Sequence, residues 1–239
     1  MDARLDAVLF DLFYTLIDMR RVSSGISTPE ALGIDPAIWS RKVMEDSPHH
    51  ALGTEVDAVE SVRVIAHAID ASLPLARIRA AAAARPARFR EALLRVDPQV
   101  LAALARIRSL GLKLGLISNA GLDEVASWDD SPLAPLFDAA LFSCHEKLMK
   151  PDAAMYLRAT ERLGVRPENC LFVGDGGSSE HEGANAVGMR TVLFLALLQE
   201  TYPETAARRP RVTRWVIDSF ADLVALVEAL GRDHEPGKA

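Results

Sequence analysis

The chain has 239 residues, 49% hydrophobic and 25% charged, which is enough apolar surface for a sizeable core and excludes disorder over most of its length. Aromatic residues are only 6%, and the abundance of Ala and Leu leans towards a helix-rich α/β protein rather than an all-β one. With 33 acidic against 27 basic residues the formal charge is −6, a balance that argues against a nucleic-acid partner.

The first element is Ala7-Val8-Leu9-Phe10, a short apolar run that reads as a buried strand delivering Asp11 at its C-terminal end. From 28 to 94 the pattern turns helical and no strand-like run occurs. Residues 54–71 and 75–94 show helical spacing, with Pro74 and Pro86 expected to punctuate them. The Ala- and Arg-rich tract 79–88 predicts a strong helix up to Pro86. A helical stretch of this length is too long for a connection and suits an inserted domain.

Beyond Pro98 helices and strands alternate. A helix over 99–110 is stopped by Gly111, and the strand 113–117 ends at Ser118-Asn119. A strand over 139–142 precedes a helix over 151–163 that is closed by Gly164. The strand 170–173 ends at Gly174-Asp175, and the helix 183–187 stops at Gly188. Strands at 191–194 and 215–217 and a closing helix at 220–230 follow, with a frayed tail over 232–239. Such alternation predicts an α/β fold with a doubly wound parallel sheet and helices on both faces. Cys144 and Cys170 lie in apolar runs and read as buried free thiols of a reducing compartment. The start is acidic, unlike a signal peptide, and no stretch of about 18 uncharged apolar residues occurs, so no membrane partner and a cytoplasmic location are expected.

In sheets of this kind ligands bind outside the carboxyl ends of the strands. Here those ends offer Asp11 with Thr15, then Ser118 with Asn119, then Asp175 with Glu180, and a loop before a helix adds Lys150-Pro151-Asp152. Asp11 and Asp175 on neighbouring strands would suit a shared Mg²⁺, which takes oxygen ligands. A carboxylate can attack a phosphoryl group, and Lys150 would neutralise the charge that the substrate adds.

These four motifs, in this order, resemble those of the haloacid dehalogenase-like hydrolase superfamily, in the subgroup with a helical cap inserted after the first strand. The motifs are Phe10-Asp11-Leu12-Phe13-Tyr14-Thr15, Ser118-Asn119, Lys150-Pro151-Asp152, and Gly174-Asp175 with Glu180. The resemblance implies a Rossmann-like core of residues 1–18 and 95–239 and a helical cap of residues 19–94. It implies Asp11 as the nucleophile, Thr15 as support for its loop, and Ser118 and the backbone at Asn119 as binders of the phosphoryl oxygens. Lys150 would tie nucleophile to substrate. Mg²⁺ would be held by Asp11, the main-chain carbonyl of Phe13 and Asp175, with Glu180, where Asp is commoner, in its outer shell.

Two positions depart from the family's phosphatases. The second Asp, which protonates the leaving group, is replaced by Phe13, and the Gly that usually follows is Tyr14. A phenyl ring carries no proton, so help worth roughly 10²–10⁴-fold must come from another group. The family's 2-haloacid dehalogenases have Tyr at that second position and no acid at the position of Asp175. Tyr156 resembles one of their features, and Arg41 in the cap would hold a substrate carboxylate; both count as candidate substrate-binding residues, with packing and a solvated charge as their plainer readings.

The sequence therefore predicts a phosphatase of small phosphorylated metabolites that forms an aspartyl-phosphate. The alternatives are a metal-independent 2-haloacid dehalogenase and a weakly catalytic binding protein. A small-molecule substrate is the expected partner, compatible with a homodimer. His49-His50 and the cluster Arg208-Arg209-Pro210-Arg211 read as surface groups.

Overall fold

Six short strands form one parallel sheet in a computed structural model, which describes residues 4–46, 48–54 and 57–232. They are β1 (Ala7–Phe10), β2 (Lys113–Ser118), β3 (Ala139–Phe142), β4 (Cys170–Gly174), β5 (Arg190–Phe194) and β6 (Trp215–Ile217). Their order is β3-β2-β1-β4-β5-β6, and every pairing is parallel. Leu9 of β1 faces Gly115 on one side and Phe172 on the other. All four residues of β1 are buried. A strand covered on both faces needs no polar alternation, which is why it reads as a plain apolar run.

Between β1 and β2 run α1 (Thr28–Leu32), α2 (Pro36–Asp46), α3 (Pro48–Ala51), α4 (Ala58–Ile69), α5 (Leu75–Leu94) and α6 (Pro98–Ser109). After β2 come α7 (Leu122–Val125), α8 (Ser143–Glu146), α9 (Ala153–Leu163), α10 (Glu180–Ala186), α11 (Ala196–Thr201), α12 (Pro203–Ala207) and α13 (Phe220–Arg232). One face of the sheet, with Val8, Phe10, Leu116 and Val173, packs on Val100, Leu104 and Ile107 of α6 and on Leu223 and Val227 of α13. The other face, with Leu9, Ile117 and Phe172, packs on Met155, Tyr156 and Ala159 of α9 and on Ala184 of α10. Successive side chains of a strand point to opposite faces, so the two layers share every strand.

The helices after β1 build a core of their own from Leu32, Trp39, Val62, Ile65, Ile78 and Ala81. In α4 the buried positions 62, 65 and 66 lie on one helical stripe, and Asp57 caps the start by accepting from Val59 N at 2.8 Å. The expected break at Pro86 does not occur: α5 runs unbroken through it for 20 residues. An interior proline costs about 3 kcal/mol. Burial on both sides of it, Ala81, Ala82 and Arg85 before and Ala92 and Leu93 after, holds the helix together. The first half of α5 belongs to the cap cluster and its last turn to the main core, so one rigid rod joins the two.

Other element ends differ by a few residues. The helix expected over 54–71 is α4, the one expected from 151 begins at Ala153 behind an Asp152 cap, and α10 starts at Glu180 rather than 183. The sequence reading offered nothing for α11 and α12. Both cysteines are free and buried. Among the described residues no helix is long and apolar enough to cross a membrane. Most of the tail expected to fray, residues 233–239, lies outside the described residues.

Candidate active site

The order of the strands reverses between β1 and β4, and this is where a ligand crevice opens in a sheet of this type. Asp11 follows β1 directly, and its N–H donates to Val173 O on β4 at 2.9 Å, so the carboxylate is fixed one residue past the strand end. The chain then turns tightly, with Leu16 N and Ile17 N both donating to Leu12 O and Tyr14 N donating to Ile17 O. Tyr14 takes φ of 61°, the left-handed region that suits the glycine expected there. That turn brings the Thr15 hydroxyl back to donate to Asp11 Oδ2 at 3.2 Å.

Lys150 is the hub. Its ammonium donates to Asp11 Oδ1 at 2.5 Å and to Glu180 Oε2 at 2.6 Å. Asn119, at the end of β2, grips its backbone twice: Nδ2 donates to Lys150 O at 2.9 Å, and Oδ1 accepts from Lys150 N at 2.8 Å. Glu180 Oε1 accepts from Gly176 N at 2.8 Å. Gly174 allows this approach, because a Cβ there would overlap the Glu180 carboxylate. Asp175 Oδ1 accepts from Gly177 N at 3.1 Å, and its Oδ2 accepts from Arg209 Nη2 at 2.6 Å.

Three buried carboxyls thus face two cations, an excess of one acid that burial resists leaving charged. Burial, the largest effect, raises the Asp11 carboxyl, with Lys150 opposing and Asp175 adding to it. Glu180 is likewise pushed up to about 8 by burial against the pull of Lys150. Burial alone would lower Lys150, but Asp11 and Glu180 more than offset it and keep the amine charged. Asp11, Asp175 and Glu180 each bring a carboxylate oxygen within 4.8 Å of the others. An all-oxygen, net-negative set fits a hard divalent cation such as Mg²⁺. Glu180 has partners on both oxygens, so its place is beside such an ion, bracing Lys150 and the loop after β4. At Asp175 the ion would compete with Arg209.

A cavity of about 910 Å³ opens above these groups, between the sheet and the cap helices. Asp11, Phe13, Asn119, Lys150, Asp175 and Glu180 line it from below, and Trp39, Arg41, His50 and Arg85 from the cap. Ser118 Oγ is buried and has no hydrogen-bond partner among the described residues. The Phe13 ring packs edge-to-face on Phe89 of α5, 5.6 Å between centroids.

Tyr156 needs correction. It is fully buried, does not line the cavity, and donates its hydroxyl to the Glu180 carbonyl at 2.7 Å, so it braces α10 from inside the fold. Arg41 is exposed at the cavity wall.

Two surface readings also fail. Arg209 is drawn onto Asp175 by the α11–α12 segment, while its neighbour Arg208 remains exposed. His50 is partly buried beside Asp123 and Glu124. The side chain of His49 lies outside what is described. Spacing along the chain gives no sign of either contact; the available hint was Arg85 on the buried stripe 78, 81, 82 of α5, since a buried arginine needs carboxylates.

Comparison with known proteins places this geometry. A family model described as haloacid dehalogenase-like hydrolase matches residues 5–188. A protein of Methanopyrus kandleri named glyceraldehyde 3-phosphate phosphatase is 30% identical over 59% of this chain and 60% of its own length. A Burkholderia cepacia protein named (S)-2-haloacid dehalogenase 4A is 33% identical over 40% of this chain and 41% of its own. The chain thus matches at most about 60% of the length of these curated relatives. The L-2-haloacid dehalogenase of Xanthobacter autotrophicus superposes with a TM-score of 0.65 at 22% identity, covering 94% of this chain and 98% of that one, a likeness of fold.

Proposed function

The chain belongs to the haloacid dehalogenase-like hydrolases, and on that premise we propose that it is a Mg²⁺-dependent phosphatase of small phosphorylated metabolites. The observation that carries this reading is Asp175, a buried carboxylate beside Asp11 at the cavity floor. Arg209 meets one oxygen of Asp175, and a reaction that displaces halide through Asp11 alone has no use for a second acid beside the nucleophile. The phosphatase name of the Methanopyrus relative supports a phosphate ester as substrate.

In this reading Asp11 Oδ1 or Oδ2 attacks phosphorus and the ester bond to the alcohol breaks. Thr15 and Lys150 hold the carboxylate in line through the contacts at 3.2 and 2.5 Å, and Lys150 opposes the burial that raises the pKa of Asp11. The backbone at Asn119, which lines the cavity, receives phosphoryl oxygens, and the unpartnered Ser118 hydroxyl, buried one residue before it and outside the cavity lining, is the group that would have to turn towards them. Water then attacks phosphorus and frees Asp11. Asp11, Asp175 and the Phe13 carbonyl would hold Mg²⁺, which supplies positive charge against the phosphoryl oxygens when bound. The cap would exclude bulk water during the first step.

A second reading, a metal-independent 2-haloacid dehalogenase using the same Asp11, is favoured by two features. Phe13 removes the expected acid, and Arg209 already balances Asp175. One experiment separates the two: phosphate release from phosphate esters and halide release from 2-haloacids, each with Mg²⁺ and with a chelator. The proposal expects phosphate release that the chelator abolishes and excess Mg²⁺ restores. Halide release untouched by the chelator, with no phosphate release, would replace it.

A further inference from the structure

We propose that the imidazole of His50, reaching in from the cap, carries the proton that the side chain at position 13 cannot. The inference rests on the reading of Asp11 as the nucleophile of a phosphomonoesterase. His50 lines the same cavity as Asp11, Asn119 and Lys150. Its ring lies so close to Gly121 that a Cβ there would overlap it. Gly121 is two residues past Asn119, so their Cα atoms are at most about 7.6 Å apart, and the ring meets the same loop two residues beyond the backbone that would receive the phosphoryl group.

A second line of contacts reaches His50 from position 13 itself. Phe13 packs on Phe89, the Arg85 guanidinium lies over the Phe89 ring at 5.0 Å, and Arg85 Nη2 is 3.4 Å from His50 Nε2. The ring therefore sits on the wall that Phe13 begins.

Its surroundings favour a proton carrier. His50 Nε2 is 3.4 Å from Glu124 Oε1 and 3.7 Å from Asp123 Oδ1. These carboxylates are fixed in turn, by Arg85 at 2.7 Å to each and by Gly121 N donating to Glu124 Oε2 at 2.9 Å. Two acids against one guanidinium leave one formal negative charge beside the ring. Arg85, Asp123 and Glu124 all meet the ring at Nε2, so Nδ1 is the nitrogen assigned to the substrate. A metal centre of His50, Asp123 and Glu124 is the rival use of this cluster, since their ligand atoms lie within 4.8 Å of one another. Arg85 already occupies the space between the two carboxylates and fills the role of that cation.

In the first step an Asp11 oxygen bonds to phosphorus, the bond from phosphorus to the alcohol oxygen breaks, and the His50 proton goes to that oxygen. In the second a water oxygen bonds to phosphorus, its proton returns to His50, and the Asp11–phosphorus bond breaks. The sum is ester plus water giving alcohol plus phosphate.

The test compares His50→Gln with the native protein on two esters at saturating Mg²⁺. Glycerol phosphate has a poor leaving group that needs the proton; 4-nitrophenyl phosphate has a good one that does not. We expect kcat on glycerol phosphate to fall by roughly 10²–10⁴-fold, and on 4-nitrophenyl phosphate by less than about tenfold. Gly121→Ala, which displaces the ring while leaving His50 in the chain, should show the same split. Equal loss on both esters in the two variants would assign His50 to holding the cap and overturn the proposal. No turnover of either ester by the native protein would remove the phosphatase reading itself, and this inference with it.

Discussion

Asp11 carries two hydrogen bonds from neighbours that the chain brings from 4 and 139 residues away, and both neighbours were legible in the sequence. Asp11 was legible from position, since a polar residue directly after an apolar strand run has few uses other than at the rim of the sheet, whereas Thr15 and Lys150 were tied to it by the ordered set of motifs. Tyr156 reads from the sequence as a candidate substrate group with packing as its plainer reading, and its burial favours packing, because spacing from Lys150 does not report depth. Its hydroxyl satisfies a main-chain carbonyl in the interior. Tyr156→Phe should therefore lower stability by about 1–3 kcal/mol, the cost of an unpaired buried acceptor, and leave KM for a phosphate ester unchanged. Thermal unfolding and steady-state kinetics check this; a raised KM with an unchanged melting temperature would put the phenol in the path of substrate.

At the scale of elements, α5 and α7 meet through Arg85 with Asp123 and Glu124. Burial pushes the Glu124 carboxyl up, but the hydrogen bond with His50 and the charge of Arg85 outweigh it and bring it down to about 2. A carboxyl held below its ordinary value stabilises the fold above that ordinary value, near 4.5, and the contribution fades as pH falls towards 2. It amounts to about 3 kcal/mol at neutral pH. The unfolding free energy, followed by urea titration from pH 5 to pH 3, should fall less steeply in Glu124→Gln than in the native protein. Identical slopes would show that the contact between α5 and α7 does not depend on this charge. Neither Glu124 nor Arg209 was legible as part of the site. Each meets its partner through folding of distant segments, 39 residues apart for Arg85 and Glu124 and 34 for Arg209 and Asp175. The short helices α11 and α12 that deliver Arg209 lack the periodic stripe that marks a longer helix.

For the whole molecule, the sheet was readable because the strands are short, mostly apolar runs and the longer helices between them, α6 and α9, carry a stripe of their own. The strand order follows from β1 lying between β2 and β4, and it places Asp11 and Asp175 side by side at the reversal. The shape of the cavity was not readable, because it depends on how α1 to α5 settle over the sheet rather than on any local pattern. What the fold achieves is convergence: three acids, one lysine and one arginine from four separate stretches of chain meet under a roofed space. Whether that convergence is a hydrolytic centre turns on one side chain. The most direct measurement is the rate of phosphate release from an aryl phosphate by Asp11→Asn beside the native protein, at equal Mg²⁺ and with both proteins shown to be folded. A nucleophile's removal predicts a fall of roughly 10³-fold or more; a variant as active as the native protein would contradict the account.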